Sequence, residues 1–153
     1  MTIRWATEAD TPGLAKVFHA AIREGPSPYS QAQRVAWMSD RPDPRHFAQR
    51  ISGLNVVLAE RAGDLVGFMG VEPTGYIDLA YILHAHRARG LFRQLYQVVE
   101  NQARDTGLTR LWTHASLMAQ PAFRAMGFLV IHHEVVARNG EELARALMEK
   151  KLQ

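Results

Sequence analysis

The 153-residue chain contains no cysteine. That absence excludes disulfide frameworks, thiolate nucleophiles, Cys-type zinc sites and iron–sulfur clusters together. No stretch approaches the ~20 consecutive apolar residues of a membrane span, and no long apolar core of the signal-peptide kind follows Met1. A soluble, cytoplasmic protein with no membrane partner is therefore expected. Lysine is also scarce. Of 18 basic residues three are lysines (Lys16, Lys150, Lys151) and the rest are arginines. Against 15 acidic residues the formal charge is +3, too small an excess to mark a nucleic-acid binder.

What is present is ordinary for a globular chain. Apolar residues make up 47% and charged residues 22%, close to the soluble average. The length suits one domain spanning 1–153, with a core that needs no metal or disulfide.

Periodicity places the elements. Residues 2–7 alternate as a strand. Thr11-Pro12 opens a helix carrying Leu14, Val17, Phe18, Ala21 and Ile22 on one face. Short helices follow over 30–38 and 44–51. Strand-rich runs at 54–61, 65–72 and 76–83 are separated by tight turns and read as a meander. A basic segment, His84 to Gly90, precedes a helix from Leu91 to about Thr106, stopped by Gly107. A strand at 108–115, a helix at 118–126 and a strand at 128–137 complete the pattern. Asn139-Gly140 is a strong hairpin turn, yet the residues after it have helical propensity. Helices, then a meander, then alternating β and α describe an α+β fold.

The segment from Tyr76 to Val99 carries the chemistry. A strand leads through Arg87-Ala-Arg-Gly90 into a helix. The free N–H groups and dipole of a helix start favour an anion, Arg87, Arg89 and Arg93 add charge, and Gly90 leaves the backbone open. The pattern fits a phosphate or pyrophosphate site, or a solvated basic helix cap.

Arg87-Ala-Arg-Gly90-Leu-Phe92 resembles the Q/R-x-x-G-x-G/A turn of the GNAT superfamily of N-acetyltransferases. Ala115-Ser-Leu-Met-Ala-Gln-Pro-Ala-Phe-Arg-Ala-Met-Gly127-Phe128 is similar to that family's A-S-x-x-A-x-x-F-x-x-x-G-F segment. Residues 133–152 resemble the tail of one small bacterial branch. The likeness spans nearly the whole chain in order. It implies an α+β fold with a twisted, mixed, mostly antiparallel sheet of about seven strands and about four helices. It also implies a splay between strands 4 and 5, and a final strand over 141–152 in place of a helix.

The resemblance further implies acetyl-CoA as cosubstrate, with no metal. An amine of a small molecule or protein would attack the thioester directly, without an acyl-enzyme. The backbone of Ile82 and Leu83 would hold the pantetheine arm. The turn from Arg87 through Ala88, Arg89, Gly90, Leu91 and Phe92 to Arg93 would hold the pyrophosphate. Met118 and Phe123 would lie near the cofactor. Tyr29 and Trp37 are candidates for the acceptor side. Candidate bases are Glu72, His84 and His114, with Asp78 behind them; histidine suits neutral pH without tuning. A homodimer is consistent with the family's habit.

Three departures matter. Phe92 replaces a small residue beside the phosphates, Met118 replaces an asparagine, and Phe123 stands where many relatives carry a proton-donating tyrosine; phenylalanine has no proton to give. Together they motivate the alternative of a non-catalytic acyl-CoA-binding or regulatory module.

Overall fold

The computed structural model describes residues 1–153. Seven strands and five α-helices follow one another as β1 (Thr2–Trp5), α1 (Thr11–Arg23), α2 (Gln31–Trp37), α3 (Pro44–Ile51), β2 (Asn55–Arg61), β3 (Asp64–Val71), β4 (Ile77–Ile82), α4 (Leu91–Asp105), β5 (Arg110–Ser116), α5 (Gln120–Ala125), β6 (Leu129–Arg138) and β7 (Glu141–Lys151). This is a mixed α+β fold whose five helices lie where the periodicity placed them, one more than the about four that the resemblance implied. No helix is long and apolar enough to cross a membrane.

The strands form two antiparallel sheets, β1-β2-β3-β4 and β5-β7-β6. Their junction positions the site. Between β4 and β5, which run parallel, the sole bridge is Tyr76–Trp112. The Trp112 N–H donates to the Gly75 carbonyl at 3.2 Å, and the Thr113 hydroxyl donates to the Ile77 carbonyl at 2.7 Å. Only glycine permits this approach, because a Cβ on Gly75 would stand 2.6 Å from the Arg110 carbonyl oxygen. Beyond these contacts the ladder stops and the C-terminal ends of both strands are left apart.

Apolar cores cover both faces. Helix α4 buries Leu91, Leu95, Tyr96 and Val99 against residues of both sheets, from Val57 and Ile77 to Leu111 and Met148. On the other face α1 and α3 bring Leu14, Phe18, Ile22 and Phe47 onto Leu58, Phe68 and Leu79. A bulge adjusts β4 between them: Gly70 pairs with Leu79 but Val71 with Ile77, so Asp78 is an extra residue. Ile77 and Ile82 then face α4 while Leu79 and Tyr81 face α1, and Asp78 is turned outward to Arg50.

The last strand forms against its local propensity. Asn139 and Gly140 both have positive φ (50° and 83°), the turn that best joins twisted antiparallel strands. Strand β7 then pairs on both edges, with β6 and with β5. Every second residue (Ala146, Met148) enters the core. Ladder bonds on two sides and this burial outweigh helix preferences of a few tenths of a kcal/mol per residue, ~0.5 at most.

Candidate active site: two chambers meeting at a strand gap

The gap between β4 and β5 opens into a chamber on each side. The first, 510 Å³, is mainly apolar and runs from Ala80 and Ile82 to the start of α4 and onto Met118 and Ala122 of the α5 region. The second, 790 Å³, lies under α2 and α3 and is lined by Arg50, Tyr76, Asp78, His114, Arg138 and Arg145 among others. Tyr29, Trp37, Tyr81 and Ser116 line both chambers, so the two volumes meet there.

In the first chamber the polar groups belong to the backbone. The first bond within α4 is from Gln94 N–H to the Gly90 carbonyl, 3.2 Å. The amides of Leu91, Phe92 and Arg93 thus have no partner earlier in the helix. Gly90 sits at φ 77° with nothing within 4 Å of a notional Cβ, and Ala88 also adopts the left-handed region, φ 60°. The turn is held in a conformation that side chains disfavour, and its outer surface is bare. The Phe92 ring packs edge-on against Phe123 at 5.0 Å, partly buried against the core while it lines the chamber wall. Arg89 and Arg93 are exposed and take no part in the ion pairs found.

Arg87 is used differently from the expectation. Its Nε donates to the Ile82 carbonyl at 3.0 Å and its Nη2 to the Ala21 carbonyl at 2.8 Å. Arg34, itself buried, donates from Nε to the Ile22 carbonyl at 2.8 Å. The two guanidinium groups occupy carbonyls in the last turn of α1, where cations are favoured. Burial and the neighbouring Arg34 charge lower the Arg87 pKa. The Arg87 side chain therefore fastens the turn to α1 and β4 instead of reaching outward.

Backbone direction also corrects the reading of Leu83. Its N–H donates to Val66 of β3 at 2.9 Å and its carbonyl accepts from His86 N–H at 2.9 Å, so both groups are occupied. Ile82 is paired with Gly67 in the alternate, non-bonded position of the ladder. Its N–H and carbonyl therefore face the gap, where the carbonyl already accepts from Arg87 Nε and the N–H is left open. Phe123 is 1% exposed between Phe92 and Phe128 and is a core residue that does not line the chamber. Met118 does line it.

In the second chamber the polar groups are side chains. His114 projects from β5 on the same face as Trp112 and Ser116. Its Nδ1 lies 2.7 Å from the Tyr76 hydroxyl, and its Nε2 lies 3.6 Å from Glu134 Oε1. Glu134 accepts from Arg145 Nε at 2.6 Å. Burial raises the Tyr76 pKa, with Asp78 adding to it, so the phenol keeps its proton. Burial, then the Arg145 charge, lowers the His114 pKa, against a smaller opposing effect of Glu134. The consistent arrangement is a Tyr76 O–H donating to Nδ1 of a neutral imidazole whose Nε2–H faces the carboxylate. Arg50 grips Asp78 through two bonds, one of 3.0 Å.

Tyr29 and Trp37 stand at the junction, with their rings edge-on at 5.5 Å. The Tyr29 hydroxyl donates to the Ala144 carbonyl and accepts from Leu117 N–H. It ties β7 to the loop after β5, and its buried ring forms part of the wall between the chambers. Ser116 accepts from Ala119 N–H at 3.2 Å, as a cap does. The other two candidate bases lie elsewhere. His84 packs on Gly25 and borders a depression with Lys16 and Glu24. Glu72 sits in the β3–β4 turn, where its N–H bonds the Tyr76 carbonyl, in a small recess with Pro73 and Val99. Of the three, His114 alone reaches the chambers. Tyr76, Tyr81, Arg50, Glu134, Arg138 and Arg145 were not foreseen; their convergence depends on strand pairing that the sequence does not spell out.

A sheet split between parallel strands, with an unpaired helix start on one side of the split, is the architecture of an acetyltransferase. The family model of the acetyltransferase (GNAT) domain matches residues 26–152, and the chain belongs to that family. A GCN5-related N-acetyltransferase from Rhodopseudomonas palustris is 30% identical and superposes with a TM-score of 0.90 over 99% of this chain and 95% of its own. Salmonella typhimurium yncA, solved with its cofactor acetyl-CoA, has 19% identity and a TM-score of 0.74, covering 100% and 94%. A GNAT-superfamily phosphinothricin acetyltransferase from Sinorhizobium meliloti, in complex with acetyl-CoA, has 18% identity and a TM-score of 0.76, covering 99% and 88%. No curated protein matches in sequence.

Proposed function

We propose that this acetyltransferase moves an acetyl group from acetyl-CoA directly to a primary amine, the amine entering from the second chamber and the cofactor from the first. The observation that carries this reading is the meeting of the two chambers at the gap, with backbone amides on one side and the Tyr76–His114 pair on the other. Two structural neighbours solved with acetyl-CoA support the cofactor assignment.

The residues suit that cofactor. The amides of Leu91 to Arg93 and the bare surface at Gly90 accept a pyrophosphate, with Arg89 and Arg93 supplying mobile charge. The Ile82 N–H offers a strand-like hydrogen bond to an extended amide chain in the gap. Bound acetyl-CoA supplies an activated acyl group as a thioester. The chain positions the amine and removes its proton. Tyr76 takes the amine proton while passing its own to His114 Nδ1, and the resulting imidazolium faces Glu134. With Phe123 lacking a proton, the departing thiolate is protonated by water. No acyl-enzyme is needed.

The test is thermal stability followed by thiol release. A ligand that binds only the folded chain at one hundred times its Kd stabilises it by about 2.7 kcal/mol. We expect acetyl-CoA to raise Tm, and a panel of primary amines to contain at least one that releases coenzyme A thiol. Binding without turnover on any amine would favour the non-catalytic acyl-CoA module, and no binding at millimolar acetyl-CoA would defeat both.

A further inference from the structure

The second chamber has a charge pattern that the acetyl-transfer chemistry does not require. The one carboxylate that lines it, Asp78, is gripped by Arg50, and Glu134 beside it is held by Arg145 and faced by His114 and His132. No acidic group lining the chamber is left free to receive an ammonium ion. Among the donors without a partner are Arg138 and Tyr81. Arg138 lines the chamber and takes part in no ion pair, even with its ladder neighbour Glu141. The Tyr81 hydroxyl, which lines the same space, has no hydrogen-bond partner.

Arg138 is also held in place. The next residue, Asn139, donates from its side-chain amide to the Ala36 carbonyl at 2.7 Å, and Gln33 donates to the Glu142 carbonyl at 2.8 Å. The β6–β7 hairpin is thereby fixed to α2, and the guanidinium hangs over the chamber from a rigid support. Between Arg138 and the junction the wall is apolar and aromatic, formed by Trp37, Phe47, Tyr81 and Leu143.

We infer that the acceptor is a small amine that also carries an acid group, a carboxylate or its phosphonate or sulfonate equivalent. Its acid is bound by Arg138 with help from the Tyr81 hydroxyl, and its apolar body lies along the aromatic wall. This inference rests on the acetyl-transfer reading for the direction in which the amine points. The guanidinium fork matches a planar or tetrahedral oxyanion through paired hydrogen bonds. The surplus positive charge also favours the neutral form of the incoming amine, which is the nucleophile.

Matched probe pairs test it: L-phenylalanine against 2-phenylethylamine, L-leucine against isopentylamine, and 6-aminohexanoate against hexylamine. The readout is the ratio of kcat/KM for acid-bearing over acid-free amine. For at least one pair the ratio should be roughly 10 to 100, the size of a hydrogen bond to a charged group. Arg138→Gln should collapse the ratio toward 1, chiefly through KM. Arg138→Glu should invert it, and Arg138→Lys should restore part of it. Arg138 is exposed, so these variants keep the fold, which Tm verifies. The same probes are added to the protein with coenzyme A, and Tm is read. The acid-bearing member should raise Tm further, and Arg138→Gln should abolish that rise.

Turnover with ratios within about twofold of 1 in all pairs would overturn the acid-group proposal while leaving acetyl transfer intact. No turnover together with an Arg138-dependent Tm rise would overturn acetyl transfer and uphold the acid site. No turnover and no such rise would overturn both.

Discussion

The two chambers divide one gap, yet they are made from different materials. On the cofactor side, polarity comes from amides at the start of α4, and the nearby Arg87 is committed to the carbonyls of Ile82 and Ala21. On the acceptor side, polarity comes from an interlocked set of side chains, Tyr76–His114 and Glu134–Arg145. Backbone groups are set by the path of the chain, so a site built from them survives wide changes of sequence. A site built from side chains can be altered one residue at a time. The difference suits a constant donor on one side and a particular acceptor on the other.

Two variants used together give the most severe test of that division. His114→Ala should lower kcat by ~100-fold or more, the range for a lost acid–base group, while the Tm rise with acetyl-CoA persists. Gly90→Val forces a β-branched residue toward φ 77° at the bare surface. It should weaken acetyl-CoA by roughly tenfold or more in a calorimetric titration. Loss of cofactor binding in His114→Ala would break the comparison.

Arg87→Met gives a smaller effect of another kind. It removes two bonds from a charged donor, so unfolding should become easier by about 1–3 kcal/mol in denaturant titration. The Kd for acetyl-CoA should stay within about threefold, as the side chain does not reach outward. A large change in Kd with unaltered stability would instead put this guanidinium on the phosphates.

The smallest effect is on pH dependence. The His114 pKa is lowered in the folded protein, so the imidazole stays neutral, and able to accept a proton, below the usual histidine range. Activity should fall only as the pH drops through that depressed value. Arg145 is one cause of the depression. Arg145→Gln should therefore move the acidic limb of the kcat profile to higher pH, by about one unit or less. A shift to lower pH would mean that His114 is not the group titrating.

Much of this was legible in the sequence because it rests on local signals. The turn before α4 announced itself through Arg87 to Gly90, and the last hairpin through Asn139-Gly140. His114 could be found because a histidine on a strand beside the expected splay is conspicuous. Its partner Tyr76 could not, since their contact depends on the single parallel bridge between β4 and β5. Leu83 was misjudged because neighbouring residues of a strand turn their N–H groups to opposite sides, and a bulge at Asp78 makes counting along β4 unreliable. Arg87 has the charge of a phosphate ligand, but only the three-dimensional path of α1 reveals the carbonyls that claim it.

The near absence of ladder bonds between β4 and β5 has a mechanical consequence. Past Tyr76–Trp112 no strand bond sets how far the two sheets stand apart, and that spacing falls to side-chain packing in the shared core beneath α4. Side-chain packing yields more readily than a ladder of backbone bonds, so width at the open end is the dimension that can adapt to a ligand while the order within each sheet is kept.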